Sequence, residues 1–420
     1  MILGFTFLLL LLILILVGVP VGFALAGTTL IGLIMTGGWA ALPAMSNTAW
    51  AASSEFVLTA IPLFVLMSEV IGVTGIGRDL FISVERLLGR ISGGQAVASI
   101  IACAIFGAVS GTAVGVAAVI GAVAIPEMLK RGYPTSISTG AVAGASPLGM
   151  IIPPSLPLIL YGVVTETSIA KLFLAGVVPG ILITLLCCIA ASILVRRSHV
   201  HAKPVETGSL LESFSLSLPV IILIVLVIGS IYAGIATPTE AAGVGAVGAF
   251  VIAGVQGRLT LARVRDALYA SARTSAMLML VLIGAMLFGY LLGITRMPQE
   301  LTSAVMGMDV SRWVIFILIM LAYFLLGMFL EVTSIILITV PVIFPTVVAL
   351  GFDPIWFGIV LMVNMSLAVV TPPVGLCLYV VKSCAPGTSL AQVIKGTTPF
   401  MFMYVLVLII LCFVPQLAIY

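Results

Sequence analysis

Apolar residues along this chain come in long blocks, separated by short clusters of Gly, Pro, Ser and charged residues. Blocks of this length cross a hydrocarbon core of roughly 30 Å at about 1.5 Å per helical residue. Ten read as spans, over about residues 2–19, 21–36, 56–76, 135–164, 170–195, 214–235, 238–256, 273–294, 355–382 and 397–418. The start, Met1–Phe5, has no charged n-region and no small-residue cleavage site, so it reads as the beginning of a span and not as a signal peptide.

Two stretches, 94–130 and 312–350, are too long for one span. Each has small or polar residues at its centre: Ser110-Gly111-Thr112-Ala113 and Glu331-Val332-Thr333-Ser334. A re-entrant hairpin accounts for both, because it dips partway in, turns and leaves on its own side. Non-helical backbone at that depth persists only under cover of protein or a wet cavity.

Lysine and arginine test this threading. Ten spans and two non-crossing hairpins place 14 of the 17 basic residues on one side, leaving Lys171, Arg296 and Arg312 on the other. The positive-inside rule makes the first side cytoplasmic. Both termini then lie outside, the first hairpin enters from the cytoplasm and the second from the periplasm.

The two halves repeat at an offset of 219 residues. Pro126 pairs with Pro345, Gly132 with Gly351, Tyr133 with Phe352, Pro153 with Pro372 and Pro154 with Pro373. One residue further out of register, Gly176 and Pro179 match Gly396 and Pro399. Chance coincidence of abundant Gly and Pro is the plain alternative, but the order of segments repeats too. Five spans per half is an odd number, so the second copy sits upside down, as in many secondary transporters with a midplane site. Between third span and hairpin each half has an arm. In Arg78–Arg90, Leu80, Phe81, Val84, Leu87 and Leu88 share one helical face, and Asp79, Glu85, Arg86 and Arg90 share the other. Gln299–Asp309 is its counterpart, with Leu301, Val305 and Met308. Each reads either as an interfacial amphipathic helix or as a plain surface linker.

Composition agrees: 62% of the 420 residues are hydrophobic and 7% charged, against about 25% charged in soluble domains. Lipid must be the solvent for most of this surface. The net charge of +3 says nothing about partners, and no nucleic-acid partner is expected. The six cysteines lie in or beside apolar segments without metal-ligand spacing, and read as apolar fillers.

The candidate chemistry lies at Pro153-Pro154 and Pro372-Pro373, inside predicted spans. Proline removes a donor and clashes with the carbonyl four residues back, so each pair unwinds its helix. The freed carbonyls need partners. A dehydrated hard cation is one; water or a neighbouring helix healing a structural kink is another. Two Na⁺ sites are expected. One joins Ser110 and Thr112 to carbonyls of Gly149, Ile152 and Pro154. The other joins Thr333 and Ser334 to carbonyls of Ala368, Thr371 and Pro373. Glu331, Asn364 and Ser155 are the substrate candidates. Glu331 could instead tune an ion site, carry a proton or fix its tip by hydrogen bonding, and Asn364 could pin the broken helix. Glu69, near a span end, reads as interfacial.

Several runs carry a family resemblance. They are Ser110-Gly111-Thr112-Ala113, Pro126-Glu127-Met128-Leu129-Lys130-Arg131-Gly132-Tyr133, Gly149-Met150-Ile151-Ile152-Pro153-Pro154-Ser155, Ala236-Thr237-Pro238-Thr239-Glu240-Ala241-Ala242 and Thr371-Pro372-Pro373-Val374-Gly375. Together they resemble the large (DctM-type, M) membrane subunits of TRAP (tripartite ATP-independent periplasmic) transporters, over essentially the whole chain. The resemblance implies an all-α, inverted-repeat, ion-transporter-type elevator fold. It implies a scaffold over 1–93 with arm 77–93 and over 201–311 with arm 295–311. It implies a transport domain over 94–200 and 312–420. It implies Na⁺-coupled uptake of a small carboxylate, such as a C4-dicarboxylate or sugar acid, delivered by a periplasmic substrate-binding protein. It also implies a separate four-span (Q-type) small subunit and a place in the bacterial inner membrane. At the first tip, Gly107 and Thr112 stand where relatives often have serines.

Rival classes fit less well. No G-x-x-x-x-G-K-[ST] exists for a pump, and the longest polar loop, about 196–213, cannot hold an ATPase. A Ser/His protease needs a base near its nucleophile, yet His199 and His201 both lie in that loop. Asp79, Asp266, Asp309 and Asp353 all fall in loops or arms, so no mid-membrane aspartate pair exists. A passive channel and a proton-coupled carrier of the same fold stay open.

Overall fold

The computed structural model describes residues 2–88, 93–198 and 210–419. In the first half, α1 (Ile2–Leu16), α2 (Val21–Gly37), α3 (Leu42–Ser54) and α4 (Ala60–Val73) lead into the arm helix α5 (Ile76–Leu88). A hairpin follows, α6 (Gly94–Ser110) and α7 (Ala113–Lys130), then a broken pair, α8 (Thr135–Ala145) and α9 (Leu156–Val164), and α10 (Ile169–Arg197). The second half repeats this order without a counterpart of α3. Helices α11 (Leu210–Tyr232), α12 (Pro238–Val255) and α13 (Leu261–Ile294) lead into the arm helix α14 (Met297–Met306). The hairpin is α15 (Arg312–Gly327) and α16 (Val332–Ala349), the broken pair α17 (Pro354–Ala368) and α18 (Leu376–Ser383), and the last long helix α19 (Leu390–Phe413).

Helix starts follow ordinary capping chemistry. A side-chain oxygen takes one of the backbone donors that the first turn leaves orphaned. Thr112, Ser155, Ser168, Thr260 and Asp353 each do this. Thr237 with Glu240 and Ser389 with Gln392 form complete capping boxes. The run Thr237-Pro238-Thr239-Glu240 is thereby explained as the start of α12.

Length alone would let α7 and α16 cross a membrane, since each has 18 residues, or about 27 Å. The packing makes them hairpin arms. Helix α8 begins only five residues after α7 ends, so both start from one side. The far end of α7 meets the break between α8 and α9, from which α9 still has 9 residues to run, about 14 Å. At the second hairpin, α18 continues 8 residues beyond the break. Both hairpins are therefore re-entrant, and the chain is a multi-pass membrane protein.

Helix α13 packs on α2, α3 and α4, and α12 packs on α4 and α11. Elsewhere α8 packs on α6, α7 and α19, and α17 on α15, α10 and α19. The arm α5 lies between α11 and α6; α14 lies between α13 and α16. The tightest crossing is α8 on α19, where Gly140 and Gly396 meet backbone to backbone. Tyr404 Oη donates to the Gly144 carbonyl beside it at 2.9 Å.

Several boundaries move. The predicted first span, 2–19, ends as a helix at Leu16. Residues 37–55, assigned no element from the pattern, hold α3, in which only Ala52 is buried and Trp50 is exposed. An Ala- and Ser-rich helix lacks the apolar run that marks a span. The eighth span begins at Leu261, not 273, because Thr260 caps a polar extension carrying Arg263, Arg265 and Asp266. The sixth begins at Leu210, not 214. In the second arm Met308 lies past the end of α14 and is exposed; Met297 and Pro298 are its buried residues. Arg90, His199, His201 and Lys203 lie outside the described residues.

Candidate functional site

The candidate site consists of two junctions, each between a hairpin tip and a helix break. At the first, Gly111 takes φ +66° after α6, a left-handed turn suited to glycine. Thr112 then caps α7, its Oγ1 accepting from Gly115 N at 3.2 Å. Ser110 Oγ lies 3.3 Å from Thr112 Oγ1. The Gly111 carbonyl accepts from Leu156 N at 3.3 Å. A Cβ on Gly107 would stand 2.8 Å from Gly149 Cα, one on Gly149 3.0 Å from the Thr112 carbonyl, and one on Gly111 3.0 Å from the Pro154 carbonyl. Tip and break touch main chain to main chain, which explains a glycine at 107. Ser110, Thr112, Gly149 and Pro154 are thus together; the side chain of Ile152 is half-buried and packs on Gly180 of α10.

The break itself follows from its prolines. After α8 the chain tightens into a 3-10 turn over Ser146–Met150. Pro153 has no N–H for the Gly149 carbonyl and Pro154 none for that of Met150. The Met150 carbonyl is taken by Ser155 Oγ at 2.6 Å, and the same oxygen accepts from Leu158 N at 3.4 Å. Ser155 is fully buried, its hydroxyl engaged both ways. Both Pro-Pro peptide bonds are cis.

The second junction solves the same problem with different atoms. Val374 stands 219 positions after Ser155 and has no hydroxyl. The Val369 carbonyl, equivalent to that of Met150, is taken instead by Cys377 N at 3.2 Å. Gly375 N, equivalent to Leu156 N, donates to the Met328 carbonyl of the second tip at 3.3 Å. So the same amide of each break grips the tip of its own hairpin. Gly327 packs on Ala368. Thr371 Oγ1 turns back to the Leu367 carbonyl at 2.7 Å. Glu331 stands at the N-cap of α16 and accepts from Thr333 Oγ1, and Ser334 beside them is buried. No hydrogen bond among the described residues joins Thr333 or Ser334 to Thr371 or Pro373. Asn364 Nδ2 donates to the Met320 carbonyl of α15 at 2.8 Å, pinning hairpin to broken helix.

At each junction two helices end and two begin, so carbonyl-rich C-termini and amide-rich N-termini converge. The first carry partial negative charge and the second partial positive. No Lys or Arg occurs in 107–112, 149–156, 327–334 or 368–376. Among the described residues no three His, Cys, Asp or Glu side chains cluster as a metal site. A cation here would be held by carbonyl and hydroxyl oxygens, and an anion by amides and hydroxyls.

Contacts at the hairpin bases were not legible in the sequence. At the first, the buried Glu85 of the arm accepts from Gln95 Nε2 and faces Arg131 Nε at 3.7 Å, which also pairs with Glu127 at 3.0 Å. At the second, Arg312 lies over the Trp313 and Phe352 rings, with Phe316 and Trp356 packed behind. Aromatic rings of this kind favour the membrane interface.

Over residues 8–417 the chain matches the family described as "Tripartite ATP-independent periplasmic transporter, DctM component". It is 37% identical over 368 residues to the C4-dicarboxylate TRAP transporter large permease protein DctM of Pseudomonas aeruginosa, covering 87% of this chain and 86% of that one. It is 33% identical over 409 residues to the isethionate TRAP transporter permease protein DctMQ of Oleidesulfovibrio alaskensis, covering 95% of this chain and 63% of that one. Its fold is similar to the crystal structure of the Alcanivorax borkumensis YdaH transporter, with a TM-score of 0.66, 14% identity, and coverage of 99% and 98%.

Proposed function

Because the chain belongs to the DctM family of TRAP transporter large permeases, we propose that it carries a small organic anion into the cell by Na⁺-coupled secondary transport. The anion is a carboxylate, such as a C4-dicarboxylate or sugar acid, handed over by a periplasmic substrate-binding protein. A separate Q-type small subunit packs on the scaffold helices α1–α4 and α11–α13. Hairpins, broken helices, α10 and α19 move together as the elevator, and the arms α5 and α14 flex between the two parts. The termini face the periplasm of a bacterial inner membrane.

One observation supports this most: Leu156 N and Gly375 N, 219 positions apart, each bond the tip of their own hairpin at 3.3 Å. A tip tied to its break travels with it, and the carbonyls between them stay assembled for an ion during the move. With no fixed cation at either junction, the substrate's charge would lie on helix N-terminal amides and hydroxyls.

The test is uptake into proteoliposomes holding the permease, its small subunit and a matched binding protein, under an imposed Na⁺ gradient. Concentrative uptake that requires inward Na⁺, with counterflow of labelled substrate, is expected. Uptake driven by a pH gradient and indifferent to Na⁺ would transfer the coupling to protons and to Glu331; absence of counterflow would point to a channel.

A further inference from the structure

A cavity of about 480 Å³ lies between the arm α5 and the first hairpin, away from both junctions. Its wall carries Arg78, Arg86, Lys130 and Arg131 against two carboxylates, Glu85 and Glu127. Both carboxylates face Arg131, at 3.7 and 3.0 Å, and Arg86 acts on Glu85 at longer range. Arg78 and Lys130, one on each wall, are exposed and have no acidic partner among the described residues. The cavity thus holds more cations than its own acids neutralise.

Below the cations the wall turns apolar. The cavity is lined by Phe81 and Ile82 on α5 and by Ala122, Val123 and Pro126 on α7, and Ala118 and Val114, four and eight residues before Ala122, are exposed like it. Residues four apart share one helix face. An exposed apolar strip from Val114 to Ala122 therefore runs into the cavity that holds the Lys130 ammonium, opposite an amphipathic arm, on the side that the basic residues mark as cytoplasmic. A free anion would use the cations and leave the track bare; a lipid uses both.

We propose that this cavity binds the phosphate headgroup of an anionic membrane phospholipid, with an acyl chain along Val114, Ala118 and Ala122. The phosphate bridges Arg78 of the arm and Lys130 of the hairpin, so lipid composition sets how firmly the arm holds the hairpin's base. Basic pockets between membrane helices on the cytoplasmic side suit such headgroups, and charge-assisted bonds to phosphate are the stronger kind.

The purified permease in detergent is titrated with phosphatidylglycerol, phosphatidylcholine or inorganic phosphate, and lipid retention by native mass spectrometry is read beside Tm. Phosphatidylglycerol is expected to be retained and to raise Tm, and phosphatidylcholine not. In the double variant Arg78→Gln/Lys130→Gln retention should weaken about 30-fold, from about 1 kcal/mol for each cation. The charge-keeping pair Arg78→Lys/Lys130→Arg should restore it, and Arg265→Gln/Arg273→Gln on α13 should bind as wild type. Unchanged phosphatidylglycerol binding by the first double variant overturns the site. A full Tm shift from inorganic phosphate alone overturns the lipid and leaves a soluble anion.

Discussion

Ser366 Oγ donates to the Pro147 carbonyl at 3.4 Å, and the two residues are 219 positions apart, the offset of the internal repeat. A residue touching its own repeat partner lies on the axis that relates the halves. The two broken segments therefore meet on that axis, the first at its 3-10 turn and the second in α17 just before its break. That contact puts both breaks beside one axis.

The bond itself is long and Ser366 is wholly buried, so volume at this point should matter more than the hydroxyl. Ser366→Ala is expected to cost about 1 kcal/mol or less. Ser366→Leu, which overfills the contact, is expected to cost about 1–3 kcal/mol. Thermal unfolding in detergent compares them; equal losses would place Ser366 off the contact.

The crossing of α8 on α19 makes a sharper demand. A Cβ on Gly396 would run into the Ser136 carbonyl, backbone that cannot swing aside, whereas a Cβ on Gly72 of α4 would meet nothing within 4 Å. Gly396→Ala is expected to lower stability by about 1–3 kcal/mol. Gly72→Ala should be neutral or gain about 0.5–1 kcal/mol from helix propensity. Expression and Tm of the two variants check this, and a neutral Gly396→Ala would mean the helices cross further apart.

The hairpins were legible in the sequence because their signals are chemical exceptions inside apolar runs. Ser110-Gly111-Thr112 and the two Pro-Pro pairs cannot continue a helix, and the distribution of basic residues is simplest when each stretch returns to its own side. Helices Gly94–Ser110 and Ala113–Lys130 accordingly fall inside the stretch expected. Helix α3 and the first twelve residues of α13 were not legible, since their stability comes from packing and from the Thr260 cap and not from an apolar pattern. The grip of Gly375 N on Met328 was hidden for another reason: a main-chain contact leaves no mark on residue identity. Glu85 looked like the polar face of a surface helix, yet it is 5% exposed, because Gln95 of the next helix and Arg131 at the end of α7 fold back over it.

That burial has a pH signature. Burial pushes the Glu85 carboxyl above its ordinary value of 4.5; the Gln95 bond and Arg131 pull it down, and Glu127 and Arg86 act weakly in opposite senses. A carboxyl with a raised value holds its proton more tightly folded than unfolded. Its contribution to stability is then present below about pH 4.5 and fades as pH rises through the raised value. Glu85→Gln removes the titration. From pH 4.5 upward the Tm of wild type should fall relative to that of the variant, in parallel thermal melts. A relative rise would mean that the Arg131 pairing outweighs desolvation.

The last prediction separates a capping hydroxyl from an ion-binding one. Thr112 Oγ1 already accepts from Gly115 N, so Thr112→Ala removes a cap, worth about 1 kcal/mol, together with any oxygen offered to Na⁺. Loss of Na⁺ affinity in that variant alone would therefore be ambiguous. Ser110 caps no helix: α6 ends at it, and its Oγ pairs with Thr112 Oγ1. Ser110 is buried, so Ser110→Ala should cost only its one hydroxyl contact, about 1 kcal/mol or less of stability, while weakening the Na⁺ dependence of uptake. At the second tip Thr333 donates to Glu331, so Thr333→Ala should weaken Na⁺ dependence and Thr333→Ser should preserve it. Uptake against Na⁺ concentration, measured beside Tm for each variant, distinguishes the roles. If Ser110→Ala and Thr333→Ala both keep wild-type Na⁺ affinity, neither hydroxyl belongs to an ion site, and Thr112, Ser334 and the main-chain carbonyls remain as the oxygens for the coupling ion.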